Sequence, residues 1–168
     1  MRRDEIVEKA RGAIGHGTLY RLGAGAPETA PHPWDEAGAC DCSGFVCWVL
    51  GISRFQPHLQ FLKSLNGGWM NTDGMYYDAS LPAGLFSPEA SPEHGSLIVY
   101  PSHSYAKKVG LNGSGPRIGH VGILTDNRTV IHCSSSNFKL RGDAIEETDT
   151  EVFRNVLYTR YIRFVGTE

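Results

Sequence analysis

Asp41-Cys42-Ser43-Gly44-Phe45-Val46-Cys47-Trp48-Val49-Leu50 is the stretch that decides how this chain folds. From Phe45 to Leu50 it is apolar on every side, and Gly51 follows as a natural stop. That pattern predicts a short helix buried at the centre of a domain. The start of such a helix lies against other structure or at the floor of a cleft, and Cys42 sits there. The partial positive charge of a helix N-terminus favours a thiolate. Cys42 is therefore the candidate nucleophile, Cys47 reads as a small core hydrophobe, and Cys40 reads as a loop residue without an assignable role.

A cysteine nucleophile needs an imidazole to take its proton and a third polar group to orient that imidazole. Further along come Gly119-His120-Val121-Gly122-Ile123 and Val130-Ile131-His132-Cys133, separated by Asp126-Asn127-Arg128. They predict a hairpin with strands over 119–125 and 129–133. Alternation turns His120 away from Val121 and Ile123. If those two face the core, His120 looks to the other surface of the sheet, where the Cys42 helix is expected to pack. Gly119 and Gly122 permit a close approach there. His132, on the partner strand, is the candidate orienting residue. Asn137 and Asp126 compete for that role, although Asp126 reads better as a turn former.

The rest of the chain is arranged around these pieces. Ile6, Ala10 and Ile14 recur at helical spacing within 4–15, which predicts an amphipathic helix. The Gly- and Pro-rich stretch over 19–39 reads as a cleft wall or as a plain connector. A helix is expected over 58–65, with Leu59, Leu62 and Leu65 inward, stopped by Asn66-Gly67-Gly68. The segment 69–90 reads as irregular, its Trp69, Tyr76 and Tyr77 covering core rather than lining a groove. A strand follows at 96–100, then a loop over 101–117. A last strand over 156–165 alternates through Tyr161, Arg163 and Val165. Helices first and antiparallel strands afterwards imply an α+β fold, with one domain over 1–168.

Composition narrows the function classes. The net charge is −2, and the sixteen Lys and Arg residues are scattered, so neither a nucleic-acid footprint nor a basic membrane surface is indicated. The N-terminal Met1-Arg2-Arg3-Asp4-Glu5 lacks an apolar run behind its basic residues, and no stretch reaches the ~18 apolar residues of a membrane span. A monomer that is cytoplasmic as synthesised is expected, with export by another route or a phage origin left open. Cys40, Cys42 and Cys47 crowd together without a secretory signal, which argues against disulfides. Their spacing also fits poorly with a zinc knuckle. No metal and no cofactor is expected.

Together the motifs resemble those of the NlpC-type cell-wall cysteine peptidases, a papain-like family. The matching pieces are Tyr20-Arg21-Leu22-Gly23, Asp41-Cys42-Ser43-Gly44-Phe45, Gly95-Ser96-Leu97-Ile98, Gly119-His120-Val121-Gly122-Ile123 and Ile131-His132. The resemblance implies Cys42 as nucleophile, His120 as general base and His132 as the orienting residue. It also implies Tyr20 beside the thiolate, and Asp41 and Ser43 as residues able to capture a free substrate amine. The implied reaction is hydrolysis of an amide bond in peptidoglycan stem peptides, next to D-γ-glutamyl, through a thioester. The chain departs from the family at Ser96, where Asp is usual, at Ala24, where Gly is usual, and in a long segment between Cys42 and His120. Two other readings stay open: a transferase, deamidase or thioesterase on the same papain-like site, and a zinc-stabilised or catalytically silent binding module.

Overall fold

The apolar run behind Cys42 folds as anticipated. The computed structural model describes residues 1–111 and 115–167, and in chain order the elements begin with α1 (Arg3–Arg11), β1 (Leu19–Tyr20), β2 (Ala39–Cys40) and α2 (Cys42–Leu50). All nine residues of α2 are buried. Asp41 caps it by accepting from the Gly44 N–H at 2.7 Å, and Gly51 ends it at φ +66°, a conformation that a Cβ would strain. Lys9 of α1 donates to the Trp48 carbonyl at 2.7 Å, which ties the two helices together.

Two short helices follow, α3 (Gln60–Asn66) and α4 (Thr72–Asp78). The former ends at Gly67, as its Asn-Gly-Gly stop implied. The latter lies inside the stretch expected to be irregular. Its single interior glycine hides the helical pattern, while Asn71 caps it by accepting from Gly74 N–H at 2.9 Å. Tyr76 is core, its hydroxyl donating to the Tyr158 carbonyl, whereas Trp69 is 49% exposed.

The remaining elements are β3 (Phe86–Glu89), β4 (Leu97–Tyr100), α5 (His103–Lys108), β5 (His120–Leu124), β6 (Thr129–Cys133), α6 (Ser135–Arg141), β7 (Ile145–Asp149), α7 (Glu151–Arg154) and β8 (Arg160–Phe164). Helix α5, capped by Ser102, occupies part of the expected loop over 101–117, of which residues 112–114 lie outside the described residues. The expected final strand is confined to β8. The strands form one antiparallel sheet in the order β3-β8-β4-β5-β6-β7. Among the described residues no helix is long and apolar enough to cross a membrane.

One surface of the sheet packs on the helices. Leu97, Val99, Val121, Ile123, Ile131 and Ile162 share a core with Phe45, Val46 and Val49 of α2, and each large side chain so buried contributes about 1.5–3 kcal/mol. On the other surface a smaller cluster gathers Ile98, Tyr100, Leu124 and Val130 with Phe153 of α7, Val156 and Tyr158. Helix α2 thus lies against the Val121 and Ile123 side of β5, not the side toward which alternation turns His120. The expectation that His120 would share a surface with α2 is corrected: apolar Val121 and Ile123 claim the apolar helix.

Candidate active site

His120 and His132 meet by register. Tyr100 pairs with His120 across β4 and β5, and Ile123 pairs with Ile131 across β5 and β6. His120 and His132 therefore project from neighbouring strands on the same surface. Gly122 keeps them within reach, since a Cβ there would stand 3.0 Å from His132 Cβ and 2.5 Å from Val130 Cγ2. His120 Nε2 lies 2.7 Å from His132 Nδ1. The His120 ring stacks on Phe153 at 5.0 Å between centroids, tilted by 15°.

Proton counting gives this chain of hydrogen bonds a direction. Thr148 of β7 donates its single hydroxyl proton to the Asp149 carbonyl at 3.0 Å. With its proton so used, its oxygen, 2.9 Å from His132 Nε2, is placed to accept from that nitrogen in the tautomer that carries the proton there. His132 Nδ1 is left as an acceptor and receives the proton on His120 Nε2, which leaves His120 Nδ1 bare. Asn137 Nδ2 lies 3.1 Å from the His132 carbonyl, 3.2 Å from the Ala144 carbonyl and 3.5 Å from His132 Nε2, so it reaches the same ring nitrogen as Thr148 from farther away. Asp126 is the turn former expected, accepting from the N–H groups of Arg128 and Thr129.

Charge on either ring is disfavoured. Burial, and then the neighbouring His132, lower the His120 pKa well below the ordinary histidine value. Burial takes His132 down to about 4, against a small opposing pull from Asp149. Both imidazoles are neutral near neutral pH, as the one-way proton chain requires.

Cys42 approaches from the other surface. Pairing between β5 and β6 covers only Ile123 with Ile131 and Leu124 with Val130. At the His120 end of β5 the Val121 N–H donates to the Cys42 sulfur. Cys133 Sγ donates to the Cys40 carbonyl at 3.4 Å, which gives Cys40 and Cys133 a place in the packing beneath the site. Burial, followed by the Asp41 carboxylate, pushes the Cys42 thiol up. Hydrogen bonds from the Val121 and Ser43 N–H groups and the charge of Arg54 oppose this without overcoming it. Desolvation thus outweighs the helix terminus that favours a thiolate. Cys42 and His120 converge on one end of β5, yet among the described residues no hydrogen bond joins them.

A cavity of ≈560 Å³ opens on Cys42, walled by Trp69, Asn71 and Asp73 on one side and Ile118 and Gly119 on the other. His132, in contrast, faces a separate hollow behind the sheet with Asn137 and Thr148. Tyr20, half-buried on β1, sits beside the thiol: burial first, then the Cys42 and Asp41 charges, raise its pKa. It is a neutral hydroxyl donor.

Asp41 and Ser43 are joined by a residue that sequence patterning did not single out. Arg54 Nη2 donates to Asp41 Oδ2 at 2.5 Å and to Ser43 Oγ at 2.9 Å, and Nη1 donates to the Ala24 carbonyl at 2.8 Å. Asp41 also accepts from Gly23 N–H at 2.7 Å and Ser43 Oγ at 3.1 Å. With the Gly44 cap this makes four donors on its two oxygens. Only an unpaired acidic residue near the reactive helix hinted at such a partner. Among the described residues no group of three or more His, Cys, Asp or Glu side chains is placed to hold a metal ion.

A buried helix opening on a cysteine, laid on an antiparallel sheet that carries a histidine pair, is the architecture of papain-like proteins. The chain is similar to the structure of NlpC1 from Trichomonas vaginalis, with a TM-score of 0.51 and 20% identity over 96% of this chain and 43% of that chain. For NlpC2 of the same organism the TM-score is 0.48, with 18% identity over 96% of this chain and 46% of that one. The chain spans less than half the length of either protein. No family model and no curated protein matches it. The fold is of the NlpC type, α+β and papain-like.

Proposed function

We propose that this chain is a cysteine hydrolase that cleaves an amide bond through a thioester, with peptidoglycan stem peptides, next to D-γ-glutamyl, as its substrate class. The observation that carries the reading is the directed chain Thr148–His132–His120. In the tautomer proposed here it leaves Nδ1 of a neutral His120 free to act as the base, and the Cys42 sulfur accepts from the N–H of Val121, the next residue of β5.

In this mechanism the substrate carbonyl enters the cavity above Cys42. Thiol and imidazole are both neutral at rest, so the Sγ proton passes to His120 Nδ1 as the C–S bond forms. The developing oxyanion is held by the Cys42 N–H at the start of α2 and by the Tyr20 hydroxyl. His132 stabilises the imidazolium by accepting from Nε2. Nδ1 then returns the proton to the leaving amine as the C–N bond breaks. A water molecule, deprotonated by the same nitrogen, attacks the thioester and releases the acid and the thiol. Asp41 and Ser43 serve the site through Arg54, which fixes the helix start.

Mass spectrometry of muropeptides incubated with the wild type and with Cys42→Ala tests this. The wild type alone is expected to release a fragment ending in D-γ-glutamate. Equal fragments from both proteins, or none from either, would count against it.

A further inference from the structure

Arg54, which lines the cavity, is placed four residues after α2 with its guanidinium turned back to the helix start. Its three hydrogen bonds, to Asp41, Ser43 and the Ala24 carbonyl, fix its position. The fit extends to Gly44, where a Cβ would stand 2.7 Å from the Ala24 carbonyl oxygen and 3.0 Å from Arg54 Nη1. A carboxylate offers about four lone-pair sites, and on Asp41 all four are taken. Ser43 Oγ gives its proton to Asp41 and accepts from Arg54. Neither side chain has capacity left for an incoming ammonium, because the Asp41 carboxylate is already paired with the Arg54 guanidinium. Asp73, across the cavity, accepts from the N–H and hydroxyl of Ser102 at 2.6 and 2.8 Å.

We propose that Arg54 makes this cleft selective for acyl groups whose nearest amine is blocked, and that it turns away substrates carrying a free ammonium beside the scissile carbonyl. This rests on the hydrolase reading and narrows it. On wall material the preferred stem peptide is one whose first residue is still amide-linked to the glycan; a released peptide with a free amino end is disfavoured. The physical cause is twofold. A substrate ammonium would need to displace a guanidinium held by three hydrogen bonds, or else be buried beside a carboxylate whose lone pairs are already taken and so go unpaired.

Two thiol-directed probes test the selectivity without presupposing the natural substrate: alanyl chloromethyl ketone with a free amine, and its N-acetyl derivative. In both, Cys42 Sγ displaces chloride, and the second-order rate is read by mass spectrometry and normalised to reaction with glutathione. The acetylated probe is expected to label wild-type Cys42 at least about tenfold faster. Arg54→Gln should bring the ratio toward one, and Arg54→Lys, which keeps the charge, should retain the preference. If Arg54→Gln does not fold, the ratios for the wild type and Arg54→Lys decide. Equal or faster labelling by the free amine overturns the selectivity and leaves the hydrolase reading standing, as does an unchanged ratio in folded Arg54→Gln. Failure of both probes to label Cys42 overturns the hydrolase reading and the selectivity with it.

Discussion

The two sides of β5 solve different problems. Behind the sheet, His120 and His132 sit among Phe153, Tyr100 and Thr148, and the imidazole nitrogens from Nε2 of His120 onward are satisfied internally. In front, Cys42 opens on a cavity, its charge environment set by an ion pair that reaches it from a loop. The rear is built by strand register and holds neutral groups in one protonation pattern. The front is built by a charge contact, to which the proposal above assigns the choice of what is admitted. Such a division predicts that damage behind the sheet alters proton transfer, whereas damage in front alters stability and selectivity.

The largest expected effect falls on the pair itself. Cys42→Ala and His120→Ala should each lower hydrolysis by about 10⁴-fold or more, and the double variant should be no worse than either, because the two act as one unit. Single-turnover assays of the three proteins check this. A His120→Ala enzyme with a tenth of wild-type activity would remove His120 from the proposed mechanism.

Next comes the front of the site. Arg54→Ala leaves the Asp41 carboxylate, 1% exposed, without its cation and is expected to cost about 3–5 kcal/mol in denaturant unfolding. Arg54→Ala paired with Asp41→Asn should recover part of that loss. A cost below about 1 kcal/mol would mean that the pair behaves like an exposed one.

The rear pair should be visible in the pH dependence of stability. Both histidines have folded pKa values below the ordinary 6.5, with His132 at about 4. Above 6.5 neither state binds these protons. As the pH falls from 6.5 toward 4, the unfolded chain takes them up and the folded chain does not, so stability falls by roughly 1 kcal/mol per pH unit for each histidine. The carboxylates held low in the folded state, Glu5, Asp126 and Glu147, add their losses only around and below their own ordinary values. Urea titrations of wild type and His132→Asn across this window should give a shallower slope for the variant. Identical slopes would show that His132 can charge without unfolding.

How much of this was legible follows the same division. The Cys42 helix could be read because its signals are local: a fully apolar body and a stopping Gly51. The β5–β6 hairpin could be read because alternation and a polar turn leave little choice, and it carried both histidines. The direction of His120 relative to α2 was misread, since alternation says that neighbouring residues oppose each other and not which of them meets a given helix. Strand β7 gave no strand signal in the sequence, because Glu146, Glu147 and Asp149 are what an edge strand shows to water. With β7 unread, Thr148 stayed out of sight. Arg54 was illegible for another reason. Its partner lies thirteen positions back, with no periodicity linking the two, and only folding turns a loop arginine into the neutraliser of a capping carboxylate.

The smallest effect is also the most specific to the rear of the site. Thr148→Val keeps the bulk at that position but removes the oxygen that accepts from His132 Nε2–H. His132 is then free to place its proton on Nδ1, toward His120, and the base at His120 Nδ1 is no longer assured. Activity should fall about tenfold in kcat with KM little changed, the order of one hydrogen bond to a buried polar group. The pH–rate profile should shift at the same time, since the protonation of the pair sets it. Thr148→Ser, which restores the hydroxyl, should recover both. A purely structural role would lower the unfolding midpoint without moving the pH profile, and would not distinguish Ser from Val by their effect on kcat alone. A Val variant with an unshifted profile would therefore break the proposed proton chain at Thr148 and leave the His120–His132 contact to act unaided.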